Sequence, residues 1–559
     1  MKSENRHTGR ISPSSSSLEE QLQLMAAHNN HVFAAGSAPC ARVSNFPDTS
    51  LFVIDGDLTK LACDAVLVPT ARDLGVTKLW IHVLGMPREG IIRNHPPFPD
   101  GCRAMPYQPK MQPNGRCPVW LGDIGRSRHK PITDDWYADC LAEFVERVAP
   151  MLRATNTRAV PPRVAVNVAG SGWGGSNHDK GLLFRTILPR LEEVAHAFGV
   201  DVVLVCWGEQ QYAAAQRARA ELHSSKTQNG LDSRLVQVAH KLSHRAQEKE
   251  LALFIGAGVS MGAGLKSWSD LLKHLLEPVE KAADLHRFKA LDLRDQAAIV
   301  QRRYVSPDAF KAALLRLFDG NEKYALAHGL LSSLNTRENV TTNYDTLFEE
   351  ACTTDRRKCT ILPYQPVTDQ GRWLLKLHGS IDFPEDIVLT RDDFMSLPER
   401  AGALFGVVQA MLMTHHVLFI GYSLSDDTFH QVMHEVRKAR EGIQGTLGTV
   451  LVLHTDHLLE ELWGDILEIV PMMETPLSDT PTADDFAIAA RRLDQFLDLT
   501  CLLSADSASF LLDKSFESML SEDEVRIADL VHKALEEARK SEGPIAHRVK
   551  SLLSQLGPL

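Results

Sequence analysis

The chain is 559 residues long and 44% apolar, which at roughly 150 residues per folding unit makes about three or four units and excludes a single small core. A formal net charge of −11 and a pI near 6.1 give no long-range attraction to phosphate backbones, so nucleic acid is not an expected partner. Apolar stretches such as Val202 to Cys206 and Val417 to Gly421 fall far short of the roughly 20 residues that cross a bilayer, so no membrane span is expected.

Residues 1–44 are polar, carry the run Ser14 to Ser17 and lack the apolar segment of a signal peptide, which predicts a disordered leader and a cytoplasmic protein. From 45 to 222, short apolar runs alternate with amphipathic stretches, the pattern of strands alternating with helices. Strands are expected at Leu51 to Ile54, Ala65 to Val68, Pro118 to Leu121, Val164 to Val168 and Val202 to Cys206. Helices are expected at Asp134 to Arg153, Lys180 to Phe198 and Gln210 to Leu222. The polar stretch 223–234, with Asn229-Gly230, reads as a linker.

A further α/β unit is expected over 235–504. It opens with a helix from Leu235 to Lys249 and a strand from Leu251 to Ile255, followed at once by a glycine-rich turn and a helical block from about Ser269 to Leu334. Strands follow at Asn339 to Thr342, Trp373 to Leu377, Val417 to Ile420 and Thr449 to Leu453, each ending in small or polar residues. Open parallel sheets present ligands at such strand ends. Residues 505–559 are helical and charged, an expected appendage for assembly or docking. Nine cysteines stand singly with no C-x-x-C pair, against both a disulfide framework and a structural zinc site.

The turn Gly256-Ala257-Gly258-Val259-Ser260-Met261 sits between a strand and a helix signal, where backbone N–H groups can approach a pyrophosphate that side chains would block. The ordinary dinucleotide fingerprint needs glycine where Met261 stands, so this is not a standard dehydrogenase loop. Alone, such a turn can serve chain reversal only. Three more motifs end later strands: Thr341-Thr342-Asn343-Tyr344-Asp345, Lys376-Leu377-His378-Gly379-Ser380 and Gly421-Tyr422-Ser423-Leu424-Ser425-Asp426.

In this order the four motifs resemble the sirtuin superfamily, in particular the branch of bacterial antiphage-defence NADases that includes Thoeris-type effectors. The resemblance implies a Rossmann-like parallel sheet with a helical insertion, NAD as substrate, and cleavage of its nicotinamide–ribose bond. It implies Asn343 and His378 as catalytic residues, with Asp345 contacting nicotinamide. It also implies cofactor contacts from Gly256, Ala257, Gly258, Ser260, Thr342, Gly421 and Ser423. A neutral leaving group needs no general acid, so the site must orient the carboxamide, face the developing positive charge and supply a nucleophile. His378 suits a general base, since a free imidazole titrates near about 6.5. A lone His-Gly is ordinarily a turn with a bonded ring and a lone Asn-x-Asp a local cap; co-occurrence in family order favours the catalytic reading.

Sirtuin deacylases carry a four-cysteine zinc module after the His-Gly motif, whereas Cys501 is the one cysteine downstream of His378 here. No metal is therefore expected, and hydrolysis or cyclisation of NAD is favoured over deacylation. The alternatives are a protein ADP-ribosyltransferase or deacylase, and a nucleotide sensor without catalysis. A nucleophile elbow at Gly421 to Ser425 fails at Ser425, and His430 with His434 lacks the glutamate of a zinc protease because Gln431 stands there.

The first unit resembles a macro domain in the order of Val53-Ile54-Asp55-Gly56-Asp57, the strand Ala65 to Val68, and the glycine-rich stretch Val166 to Gly175. The resemblance implies an ADP-ribose-type site with Asp57 on the adenine and Gly172, Gly174 and Gly175 around phosphates. Pro69-Thr70 stand where a macro domain has an Asn-Asn pair, so ligand binding and a structural role both stay open. The combination predicts an NADase restrained until an ADP-ribose-type activator arrives, working as a homo-oligomer.

Overall fold

The computed structural model describes residues 49–559 except 86–90, 92–94, 108–116, 126–132, 169–178, 224–229, 280–284, 354–358, 368–370, 425–426, 443–444, 478–480, 554–555 and 557–559. The expected leader, 1–44, lies outside the described residues.

The first sheet has six strands: β1 (Leu51–Asp55), β2 (Ala65–Thr70), β3 (Ala104–Pro106), β4 (Val119–Asp123), β5 (Arg163–Asn167) and β6 (Asp201–Cys206), in the order β1-β6-β5-β2-β4-β3. All pairs are parallel except β3 with β4. Continuous apolar runs such as Leu51-Phe52-Val53-Ile54 are buried along their length, as a parallel sheet covered on both faces requires. Helices α1 (Asp134–Thr155), α2 (Lys180–Phe198) and α3 (Glu209–His223) alternate with these strands. Asp179 caps α2 by accepting the Leu182 N–H, and Gly199 ends it in the left-handed conformation. The five expected strands and three helices are present; β3, a three-residue antiparallel edge, was too short to carry a period.

The next elements are α4 (Ser233–Gln247), β7 (Leu251–Ile255), α5 (Ala257–Met261), α6 (Trp268–Leu276), α7 (Leu293–Arg303), α8 (Pro307–Arg316) and α9 (Leu326–Ser333). Then come β8 (Glu338–Thr341), α10 (Leu347–Cys352), β9 (Thr360–Leu362), β10 (Trp373–Lys376), α11 (Arg391–Thr414), β11 (His416–Ile420), α12 (Asp427–Ala439), β12 (Gly448–Thr455), α13 (His457–Trp463) and β13 (Leu467–Pro476). The chain continues through α14 (Ala483–Ser504), α15 (Glu522–Lys540) and α16 (Pro544–Leu553). Seven strands form an all-parallel sheet in the order β13-β12-β11-β7-β8-β10-β9. From β7 the chain runs outward to one side through β8, then returns to the other side at β11. That reversal opens a crevice at the carboxyl ends of the central strands.

Residues 44–559 make one compact body. Buried side chains run without a break from Phe52 and Ile54 of the first sheet to Leu253, Leu330 and Phe496 of the second part. On the other face of the second sheet Phe254, Phe419, Phe429 and Trp463 form a separate aromatic cluster. Helix α14 ties the parts together with charge: Arg219 of α3 donates to Asp498 at 2.9 Å, Arg491 to Asp201 at 2.8 Å and Arg163 to Asp494 at 2.8 Å. Strand β13 was not expected, because Pro471 and Pro476 demote a run to an edge, which is where it lies.

Candidate functional site

Registry aligns the strand ends that carry the motifs. Ile255 pairs with both Ile420 and Thr341, and Thr341 pairs with Lys376. The residues that follow, Gly421, Gly256, Thr342 and Leu377, therefore emerge side by side at one edge.

Glycine is required there for chain crossing. A Cβ on Gly256 would stand 2.3 Å from the Gly421 carbonyl oxygen, and one on Gly421, at φ +63°, would stand 2.6 Å from Val259 N. The crossing is fastened by Gly256 N–H donating to Ile420 O and Gly258 N–H to Gly421 O, both at 2.9 Å. After His378, Gly379 holds φ +88°, and a Cβ would meet the Asp386 carbonyl at 2.5 Å. These glycines let two turns touch, and α5 starts immediately behind the first.

A cavity of about 540 Å³ opens at this edge. Its floor carries Ser260, Asn343, Asp345 and His378, and Ala257, Thr342, Gly421 and Ser423 also line it. Of the expected cofactor contacts, Gly256 and Gly258 are not on its wall. The helical insertion and α11 add Trp268, Arg294, Phe318 and Phe394 to the lining. The lining thus combines polar groups at the strand ends with aromatic rings, the composition of a site for a ligand with both a planar ring and hydroxyls.

The floor is a hydrogen-bonded set. Asn343 Nδ2 donates to Gly256 O and to Ser260 Oγ, both at 3.1 Å, and Ser260 Oγ donates to Asp345 Oδ2 at 2.9 Å. Both amide hydrogens are thereby used, while no donor among the described residues reaches the buried Asn343 Oδ1. Asp345 Oδ1 accepts the Leu347 N–H at 3.0 Å, and the buried Lys376 ammonium donates to the Asp345 carbonyl and to Glu349 at 2.9 Å. Burial pushes the Glu349 carboxyl up, against the pull of Lys376. The His378 ring stands edge-on to Phe394 with centroids 5.2 Å apart.

Sequence reasoning missed His328, whose Nε2 lies 3.3 Å from Ser260 Oγ. It also missed Lys376 and the aromatic wall. Asp292 caps α7, and the Arg294 guanidinium, bonded to it twice at 2.8 Å, holds its carboxyl well below the usual carboxylate range. Arg294 in turn lies over Phe394 at 5.8 Å.

Residues 337–465, which include Asn343, Asp345, His378 and Ser423, match the model of the SIR2-like domain. This stretch is a SIR2-like domain. The wider resemblance read from the four motifs is borne out by curated relatives. Defense-associated sirtuin 2 of Bacillus subtilis is 23% identical over 222 residues, 38% of this chain and 22% of that protein. NAD(+) hydrolase ThsA is 26% identical over 200 residues in Bacillus cereus (strain MSX-D12), covering 35% of this chain and 41% of the relative. ThsA of Enterococcus faecium is 27% identical over 206 residues, covering 35% and 42%. The matched part is less than half the length of each of these relatives. Among solved structures, a macrodomain of Oceanobacillus iheyensis is similar at 16% identity and a TM-score of 0.25, covering 32% of this chain and 95% of that one.

The SIR2-like motifs meet in one cavity; the ADP-ribose-type set of the first unit is placed differently. Asp57 is buried, its Oδ1 accepting the Thr59 N–H at 2.9 Å and the Thr59 hydroxyl at 2.7 Å. Its backbone is covered by Tyr324, whose hydroxyl accepts the Asp57 N–H at 2.9 Å and donates to the Asp57 carbonyl at 3.0 Å. Gly172, Gly174 and Gly175 lie outside the described residues. His430 and His434 are exposed on α12, His430 against Trp463. Among the described residues no group of three or more His, Cys, Asp or Glu side chains is arranged for a metal ion, and no helix is long and apolar enough to cross a membrane.

Proposed function

We propose that this protein is an NAD glycohydrolase that expels nicotinamide from the ribosyl carbon of NAD. The observation that carries the reading is the convergence of Ser260, Asn343, Asp345 and His378 on one cavity that Trp268 and Phe394 also line. Similarity to ThsA, named an NAD(+) hydrolase, supports the same substrate. In this reading the bond between nicotinamide nitrogen and ribose carbon breaks with its electron pair going to nitrogen, leaving an oxocarbenium-like centre. The Asp345 carboxylate faces the carboxamide, Asn343 Oδ1 accepts a hydrogen bond from the incoming water or a ribose hydroxyl, and His378 takes the one proton that the water loses. The products are nicotinamide and ADP-ribose, or a cyclic isomer when a nitrogen of the adenine replaces water.

The reading extends to antiphage defence, by similarity to the defence-associated relatives. Unrestrained NAD loss kills the host, so the enzyme is held back until a nucleotide of ADP-ribose type arrives, sensed in the first unit, and it works as a homo-oligomer in the cytoplasm. Incubating the full chain with NAD, alone and with ADP-ribose or its cyclic isomers, tests this. Nicotinamide should appear with at least one of them, and His378→Ala should slow it by roughly 10²–10⁴-fold, the usual worth of a general base. Equal rates for parent and variant would remove His378 from the chemistry.

A further inference from the structure

His328 sits on α9, fully buried, and is not on the cavity wall. Its Nδ1 accepts the Ala325 N–H at 3.2 Å. A neutral imidazole carries one proton, so with Nδ1 accepting, the proton is on Nε2, which faces Ser260 Oγ at 3.3 Å and donates to it. Ser260 Oγ then accepts from both His328 and Asn343, which fills its lone pairs, and its single proton has Asp345 Oδ2 as its acceptor. The Ala325 N–H, the Gly256 carbonyl and the Asp345 carboxylate, each able to play one role only, fix the direction of every bond in the set.

We propose that His328 is a positioning residue of the cleft, acting through Ser260 to hold the Asn343 amide and the Asp345 carboxylate in one orientation toward the ligand. Without the Nε2–H, Gly256 O still sets which way the Asn343 amide faces, but Ser260 Oγ, the atom that links this amide to the Asp345 carboxylate, loses the donor that fixes its position. Burial pushes the His328 pKa down to about 4, against the nearby Asp345 carboxylate and the Ala325 bond, so the ring stays neutral at working pH. The helix carrying the ring is anchored outside the cleft. Next to Ala325, Tyr324 N–H donates to Lys60 O at 2.9 Å and Tyr324 O accepts Ala62 N–H at 2.8 Å, besides the two bonds to Asp57. The position of His328 is thereby referred to the turn after β1, in the first sheet's part of the body.

The kinetic half of this assignment rests on the NAD reading above, and the test separates the two. His328→Leu keeps volume without hydrogen bonds; His328→Gln can accept from Ala325 and donate to Ser260. In nicotinamide release, Leu should lower kcat about tenfold or more with KM within about threefold, and Gln should recover most of the loss. In a Ser260→Ala background, adding His328→Leu should cost less than about threefold, since the link is already cut. No effect of Leu, a Gln variant as slow as Leu, or fully multiplying losses would overturn the assignment. Nitrogen NMR of the parent's ring decides independently of turnover and of whether the Leu variant folds. A neutral ring protonated at Nε2 at about pH 5.5 upholds the assignment, and a charged or Nδ1-protonated ring overturns it. A parent that releases no nicotinamide counts against the NAD reading alone.

Discussion

Asn343 gives both of its amide hydrogens to the protein, to Gly256 O and Ser260 Oγ, and keeps only an acceptor for the cleft. Asn343→Asp replaces a donor by a carboxylate oxygen facing the Gly256 carbonyl. The expected result is a loss of about 1–3 kcal/mol in urea unfolding, the cost of an unmet buried acceptor, together with loss of nicotinamide release. Two buried histidines set an acid dependence. Burial lowers both His328 and His416 to about 4, with Arg245 and Lys241 adding to the effect at His416. Below the ordinary value of about 6.5 the unfolded chain binds a proton on each that the folded chain refuses. Stability is therefore full above that pH and falls as pH drops toward about 4, by at most about 1.4 kcal/mol per pH unit per ring. Urea unfolding between about pH 5 and 7 checks the slope, which His328→Gln should reduce by close to one proton.

The central strands were legible in the amino-acid order because a parallel strand buried on both faces is a short unbroken apolar run, as in Leu251-Ala252-Leu253-Phe254-Ile255. Strands β9 and β3 have three residues each, too few for any period, and β13 is interrupted by proline. Of the cleft, the polar floor was legible because each motif directly follows a strand. The aromatic wall was not, since Trp268 and Phe394 come from α6 and α11, far from one another along the chain. His328 was hidden in an apolar helix where nothing in the residue order separates a ligating ring from a packed one. Helix α14 was likewise unreadable as a bridge until Asp498 met Arg219 across 279 positions. That pair is fully buried, and Asp498 also accepts the Val53 N–H at 3.3 Å. Asp498→Ala leaves a guanidinium without its partner in the interior, and the expected loss is about 3–5 kcal/mol in denaturant unfolding.

Across the whole molecule, the two sheets share a core, and a polar route runs from the first toward the cleft through Asp57 and Tyr324 to the start of α9. In the proposed reading, this is the path from the first unit to Ser260. Counting nicotinamide released against NAD consumed, for the full chain and for Asn343→Ala in the presence of each ADP-ribose-type nucleotide, tests that reading most directly. The account predicts one nicotinamide per NAD for the parent and a rate lower by about a hundredfold or more for the variant. Equal rates in the two proteins, or NAD left intact with every nucleotide, would contradict it.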